Sequence, residues 1–195
     1  HKGHKGFSSR VSLYLCGFVF VFIIWKMDNV SQPNVEQVMI LGVGCTLYTD
    51  EGFGVRVIER IDQQYAFPEH VSVVDGGVLG TNLLGVISMA DHLIVVDAIR
   101  NKGNPGDRYR LYGDQIPKRI RAKNSIHQVD FLEALTLCTA LDKVPDTVIV
   151  GVEPADIDTC SIDMSPVIQD QIDPVIQMVL EELDRLGVSY SKRNQ

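Results

Sequence analysis

Four short apolar runs divide the chain after its first 34 residues, and they constrain its fold more than any other feature. Each run is almost wholly apolar and stops at or near glycine or aspartate, which is typical of strands buried on both faces of a sheet. The runs are Val38–Gly44, His70–Gly77, His92–Ala98 and Thr147–Val152. A fifth segment, Arg108–Tyr112, has weaker strand character, and we expect it at an edge of the sheet.

Helical periodicity fills the segments between these runs. Apolar residues recur every fourth position over Phe53–Tyr65, and similar patterns cover Leu83–Met89 and Phe131–Leu141. Asp173–Pro174 predicts the N-cap and first turn of a last helix that stops at Gly187. Strands that alternate with helices predict an α/β fold of three layers, with a twisted, mainly parallel sheet flanked by helices.

Residues 1–34 differ in composition from the rest of the chain, with 6 of the 14 aromatic residues and four basic residues against one acid. Their apolar run, Val11–Trp25, is 15 residues long, short of the roughly 20 that span a bilayer, and no small-residue cleavage pattern follows it. We therefore expect residues 1–34 to be an N-terminal extension outside the fold of residues 35–195, with Met27 as a natural start. The alternative is a membrane anchor at residues 11–25.

Composition excludes several classes of protein. The 18 Lys and Arg residues against 25 Asp and Glu give a net charge of −7, which argues against a nucleic-acid partner. With 45% hydrophobic and 22% charged residues the chain is not intrinsically disordered. Its four cysteines are too far apart for a metal or redox pair and too few for a disulfide framework, which favours a cytoplasmic protein.

Acidic residues follow three of the predicted strands. In open α/β sheets, ligands bind beyond the carboxyl ends of the strands, near the switch in strand order. Asp50 and Glu51 lie after the first run, Asp75 ends the second, and Asp97 ends the third. Carboxylates at one crevice repel one another unless a cation or a shared proton relieves them. The pattern therefore predicts a site at this edge of the sheet.

The positions of the histidines add an imidazole to the carboxylates of this site. His70 and His92 begin their strands, so we expect them at the opposite edge, in structural roles. His127 precedes the third predicted helix, where it can face the acids. Glu51, Asp97 and His127 would form a site of two carboxylates and one imidazole with open positions, which suits nickel, zinc or iron.

Each of these residues also has a structural interpretation. Asp50 could cap the helix that starts near Gly52. Asp75 and Asp97 could form Asx turns, and a single histidine such as His127 is often a surface residue.

Two other classes of site are disfavoured. The run Gly42–Gly44 suggests a dinucleotide loop, but Leu47 stands where the third glycine belongs. A phosphoacceptor receiver domain needs a lysine after its last strand, whereas Val152 is followed by Glu153 and Pro154.

Taken together, the motifs resemble those of the endopeptidases that mature nickel-iron hydrogenases. The similar segments run in order between about Val38 and about Gly187: Gly42–Gly44, Leu47, Thr49–Arg56, Val74–Gly77, Asp97–Ala98 and His127–Gln128. The resemblance implies a phosphorylase/hydrolase-like fold and the removal of a C-terminal extension from the precursor of the hydrogenase large subunit after nickel insertion. It also implies that Glu51, Asp97 and His127 contact nickel that the substrate carries, so no tightly bound metal of the protein's own is expected. Cys45 departs from the asparagine usual in that family.

The resemblance leaves two mechanisms open. Nickel held by the three predicted ligands could polarise the scissile carbonyl or activate a water. Alternatively nickel serves only for recognition, and carboxyl groups, Asp50 with Glu51 and Asp97, transfer the protons as in an aspartyl protease. A non-catalytic, nickel-dependent docking or chaperone module for the same precursor is the alternative function, and the basic run Lys118–Lys123 is either a solvated face or a contact for that precursor.

Overall fold

A computed structural model describes residues 35–77, 85, 87–113, 115–116 and 144–193 of the chain. The elements below belong to one compact unit, Glu36–Gln195. The strands found in the described residues are β1 (Val38–Val43), β2 (Tyr65–Ala66), β3 (Val71–Gly77), β4 (His92–Ala98), β5 (Arg108–Tyr112), β6 (Asp146–Val152) and β7 (Ser191–Lys192). The helices are α1 (Phe53–Gln64), α2 (Pro166–Gln169) and α3 (Ile172–Arg185). The predicted N-terminal extension and the helix over Phe131–Leu141 lie outside the described residues, as do Leu83, Leu84 and Val86 of the predicted helix Leu83–Met89, in which Gly85 and Ile87 are helical.

Five strands form the central sheet, in the order β3-β1-β4-β6-β5. Strands β1, β3, β4 and β6 are parallel, and β5 is antiparallel at one edge. The predicted mainly parallel sheet and its edge strand are therefore confirmed. Because β1 lies between β3 and β4, the strand order reverses at β1. The carboxyl ends of β1 and β4 flank this switch point, where α/β sheets bind their ligands.

Apolar side chains fill both sides of the sheet. All six residues of β1 are buried, which explains why this run does not alternate between apolar and polar residues. On one side the core packs against α1 and α3, and on the other it includes Leu41, Leu93 and Ile87. Helix residues with no exposed surface on the first side are Phe53, Val57, Ile61, Ile168, Val175, Val179 and Leu183.

The first turn of α1 lies directly on the sheet. A Cβ atom on Gly54 would fall 2.1 Å from the carbonyl oxygen of Val96 and 2.5 Å from that of Val43. Only glycine permits this approach, since either distance is far below a van der Waals contact. The loop that leads into α1 is consequently held over the carboxyl ends of β1 and β4.

The last helix differs from its prediction at the start and agrees at the end. It begins after Gln171, not after Asp173, because the short helix α2 has already turned the chain before that point. Asp173 lies instead in the first turn, where a negative charge stabilises the helix dipole. Gly187 ends the helix with φ +70°, and the Val188 amide donates to the Leu183 carbonyl (2.9 Å), as in a Schellman cap.

Among the described residues, none of the helices combines the length and the apolar character that a bilayer crossing requires.

Candidate active site

Glu51 lies in the loop that follows β1, residues 44–52, here called the β1 loop. Gly44 adopts φ +134°, and a Cβ atom there would lie 1.9 Å from the carbonyl oxygen of Glu51. The loop can fold back on Glu51 in this way only with glycine at position 44. The amide of Glu51 donates to the carbonyl of Tyr48 (2.8 Å). These contacts hold the half-buried Glu51 beyond the carboxyl end of β1.

Asp97 is the last residue but one of β4, the strand beside β1. It pairs with Gly151 of β6, and a Cβ atom on Gly151 would lie only 2.0 Å from the carbonyl oxygen of Asp97. Asp97 is half-buried. Because β1 and β4 are parallel neighbours, the loop that carries Glu51 and the end of β4 that carries Asp97 lie at the same end of the sheet, where the sequence places them.

The remaining predicted residues of this edge have different outcomes. Asp75 lies in β3, where it pairs with Gly42 of β1, and its side chain is exposed. Strand β3 is on the side of β1 away from β4. His127 lies outside the described residues. Within the described ranges, no three His, Cys, Asp or Glu side chains are grouped to hold a metal ion. The predicted three-ligand site therefore stays a prediction.

The two other histidines of the folded part lie at the amino ends of strands. His92 is the first residue of β4, and its Nε2 atom lies 2.9 Å from a carboxylate oxygen of Glu36. His70 immediately precedes β3. Both are at the edge opposite Glu51 and Asp97, which confirms that they lie apart from the predicted site.

Asp50 is completely buried, and both of its carboxylate oxygens accept hydrogen bonds. Oδ2 accepts from the amides of Ala155 (2.9 Å) and Asp156 (2.8 Å), and Oδ1 accepts from the amide of Ser165 (2.8 Å). Helix α1 has Gly52 at its N-cap without a side-chain hydrogen bond. The carboxylate of Asp50 thus does not cap α1. It anchors the loop of residues 153–165 that follows β6, here called the β6 loop.

Further hydrogen bonds join the β1 loop to the β6 loop. The Thr49 hydroxyl donates to the carbonyl of Thr159 (2.9 Å), and the Ser161 amide donates to the carbonyl of Leu47 (3.0 Å). The Asp50 amide itself donates to the carbonyl of Asp156 (3.0 Å). These hydrogen bonds hold the β1 and β6 loops together, and Glu51 belongs to the first of them.

Asp156 organises the turn inside the β6 loop. Its carboxylate accepts from the amides of Asp158 (2.9 Å) and Thr159 (3.0 Å). A hydrogen bond with the Thr159 side chain, together with these two amide bonds, lowers the pKa of Asp156. The turn is thus best formed when Asp156 is ionised.

Glu153 is a buried acid at the same edge of the sheet that sequence analysis missed. It is 6% exposed, and its Oε2 atom accepts from the Asn101 amide (2.7 Å), the Gly103 amide (3.1 Å) and the Tyr109 hydroxyl (2.7 Å). Burial, followed by the hydrogen bond and the charge of Glu153, raises the pKa of Tyr109 to about 12. The sequence did hold a signal, because Glu153 directly follows the fourth apolar run, just as Asp97 ends the third.

A mainly parallel sheet with acidic residues near the carboxyl ends of β1 and β4 is typical of α/β proteins that bind their ligands at this end of the sheet. The family model described as hydrogenase maturation protease matches residues 55–182. The chain belongs to this family of peptidases.

Similar proteins are also named for hydrogenase formation or maturation. The hydrogenase expression/formation protein HupD of Bradyrhizobium diazoefficiens is 36% identical over 170 residues, covering 86% of this chain and 88% of its own. The hydrogenase 2 maturation protease of Escherichia coli K12 is 36% identical over 159 residues, covering 80% of this chain and 96% of its own. The solved structure of the hydrogenase maturating endopeptidase HybD from Escherichia coli superposes with a TM-score of 0.77 at 34% identity, over 80% of this chain and 98% of that one.

These comparisons confirm three predictions made from the sequence: the family, the α/β fold and the peptidase activity. They do not favour the non-catalytic docking module, because the relatives named for an activity are proteases or endopeptidases.

Proposed function

We propose that the protein removes a C-terminal extension from the nickel-loaded precursor of a nickel-iron hydrogenase large subunit. One observation carries the proposal: Glu51 lies in the loop that follows β1, and Asp97 lies at the end of the adjacent parallel strand β4, at the switch point of the sheet. The membership of the chain in the hydrogenase maturation protease family supports it.

In this proposal the nickel ion is part of the substrate. Two carboxylates and the imidazole of His127 supply oxygen and nitrogen donors, which suit a divalent ion such as nickel and leave positions for ligands from the precursor. Glu51, Asp97 and His127 thereby recognise whether the precursor has received its metal. The bound ion can also act as a Lewis acid toward the scissile carbonyl or a water.

In this proposal Asp50 stabilises the loops around the site. Its carboxylate has no exposed surface, and three backbone amides occupy it. A general acid or base must reach the proton it transfers, so this position suits an anchor for the β1 and β6 loops better than proton transfer. The proton-transfer role predicted from the sequence remains open to the experiment described in the Discussion.

The metal site is tested with Glu51→Gln, Asp97→Asn and His127→Ala. The first two changes keep size and remove charge, so we expect processing of nickel-loaded precursor to fall by at least about tenfold with melting temperatures close to that of the wild type. Asp75→Asn is the matched control, since Asp75 lies at the same edge but on the far side of β1. Full processing by all three site variants contradicts the nickel assignment.

The cytoplasmic location predicted from cysteine usage remains part of this proposal. In the described residues Cys45 and Cys160 are free thiols.

A further inference from the structure

Glu153 holds the loop that follows β4, residues 99–107, here called the β4 loop. Two of its hydrogen bonds come from the amides of Asn101 and Gly103. Between them Lys102 adopts φ +63°, the left-handed conformation that side chains other than glycine rarely take. The two amides can converge on one carboxylate oxygen because Lys102 is turned in this way. Glu153 thus maintains a strained loop conformation.

The loop also encloses Glu153 through its own backbone. The Glu153 amide donates to the carbonyl of Asp107 (2.7 Å), and the Gly106 amide donates to the carbonyl of Glu153 (2.9 Å). A Cβ atom on Gly103 would lie 2.1 Å from the Tyr109 hydroxyl. The loop therefore has little freedom to take another shape while the side chains of Glu153 and Tyr109 are in place.

The β4 loop lies beside the candidate active site. It begins two residues after Asp97, and the Ile99 amide donates to the carbonyl of Val152 (2.7 Å), which extends the pairing of β4 with β6. Its outer side carries the exposed cations Arg100 and Lys102. The Nη2 atom of Arg100 lies 3.2 Å from the Oδ2 atom of Asp158 in the β6 loop. This salt bridge brings the β4 and β6 loops into contact.

We propose that Glu153 is a positioning residue for the precursor: it holds the β4 loop so that Arg100 and Lys102 contact the protein substrate next to Asp97. The proposal rests on the proposed function. The reasons are three: the buried carboxylate accepts from the Asn101 and Gly103 amides and the Tyr109 hydroxyl, it maintains the turn in which Lys102 has a positive φ, and this loop presents the exposed cations Arg100 and Lys102 near Asp97. Substrate binding, rather than the chemical step, should then depend on Glu153.

The chain offers a matched control in Glu182. This residue is also buried, at 5% exposed, and it also accepts a hydrogen bond from a tyrosine of β5, Tyr112 (2.9 Å). Tyr112 pairs with Val148 near the amino end of β6, whereas Tyr109 pairs with Gly151 near its carboxyl end. Like Glu153, Glu182 is therefore buried and accepts a hydrogen bond from a tyrosine, but it lies away from the candidate site.

The test is steady-state processing of nickel-loaded precursor by the full chain, with KM and kcat measured separately below the lowest melting temperature. We expect Glu153→Ala, which removes the one oxygen that accepts from all three donors, to raise KM at least about fivefold with kcat within about twofold, the signature of lost substrate binding. Tyr109→Phe should raise KM less, and Glu182→Ala should change neither constant even if it lowers the melting temperature.

Two results overturn the proposal: an unchanged KM in Glu153→Ala, or an equal change in KM in Glu182→Ala, which shows a general effect of stability. If Glu153→Ala does not fold, Tyr109→Phe decides, because it removes only the phenol hydroxyl, and an unchanged KM then refutes the proposal. Failure of the proposed function itself is separate, since in that case the wild type leaves the precursor uncut.

Discussion

Replacement of Asp50 by asparagine separates an anchoring role from a catalytic one. Asparagine keeps the shape of the side chain but offers one acceptor oxygen instead of two. The remaining oxygen can take over the amides of Ala155 and Asp156, which both donate to Oδ2, while the new NH₂ group then faces the Ser165 amide. The Ser165 amide loses its acceptor, and the amides of Ala155 and Asp156 exchange a carboxylate oxygen for the oxygen of a side-chain amide.

The magnitude follows from these bonds. A hydrogen bond to a charged group contributes about 1.5–3 kcal/mol, and an unsatisfied buried donor costs about 1–3 kcal/mol. We therefore expect Asp50→Asn to lower the free energy of unfolding by about 2–4 kcal/mol, and hence the melting temperature by about 5–15 °C for a domain of this size. Asp50→Ala removes all three acceptor contacts and should leave little folded protein.

Thermal melts and processing rates measured on the same preparations test this reasoning. Thr49→Val is the control, because it removes one neighbouring bond between the same loops and should cost only about 0.5–1.5 kcal/mol. Well below its melting temperature, Asp50→Asn should still cut the precursor at a rate within about tenfold of the wild type. Loss of cleavage with an unchanged melting temperature would refute the anchoring role and establish Asp50 as an acid or base.

Three further predictions concern stability. Gly44→Ala should strongly destabilise the protein or prevent folding, because its Cβ would lie 1.9 Å from the Glu51 carbonyl; a thermal melt equal to that of the wild type would contradict this. Leu183→Ala, at a position with no exposed surface, should cost about 2–5 kcal/mol in denaturant unfolding, and a loss below about 1 kcal/mol would be too small for a core position. Tyr109 should make stability fall as pH rises from about 10 to about 12, because the unfolded chain releases the phenol proton first. Unfolding curves at about pH 9 and about pH 11 should then show a larger loss in the wild type than in Tyr109→Phe, and equal losses would exclude the effect.

The sheet could be predicted from the sequence because its central strands are buried on both faces. Such strands appear as continuous apolar runs, and each of the four runs corresponds to a strand of the sheet within one or two residues. The start of α3 could not be predicted from the signal at Asp173. The preceding short helix has no long apolar period of its own, and the Gln171 carbonyl already accepts the first helical hydrogen bond, from the Val175 amide (3.0 Å).

The candidate site was predictable in part. The rule that ligands bind beyond strand ends selected Glu51 and Asp97 correctly as residues of one edge. It could not distinguish them from Asp50, since three amides from positions more than 100 residues away bury that carboxylate. Glu153 was missed for the same reason: its partners at 101, 103 and 109 become neighbours only when β4, β5 and β6 pair.

The most direct test of the account is the mass of the hydrogenase large-subunit precursor after incubation with the purified protein. Nickel-loaded precursor should become shorter by one C-terminal fragment, and metal-free precursor should keep its full mass. Glu51→Gln and Asp97→Asn should cut the nickel-loaded precursor at least about tenfold more slowly than the wild type. Nickel-loaded precursor that keeps its full mass with the wild type, or metal-free precursor that is cut equally well, would contradict the account.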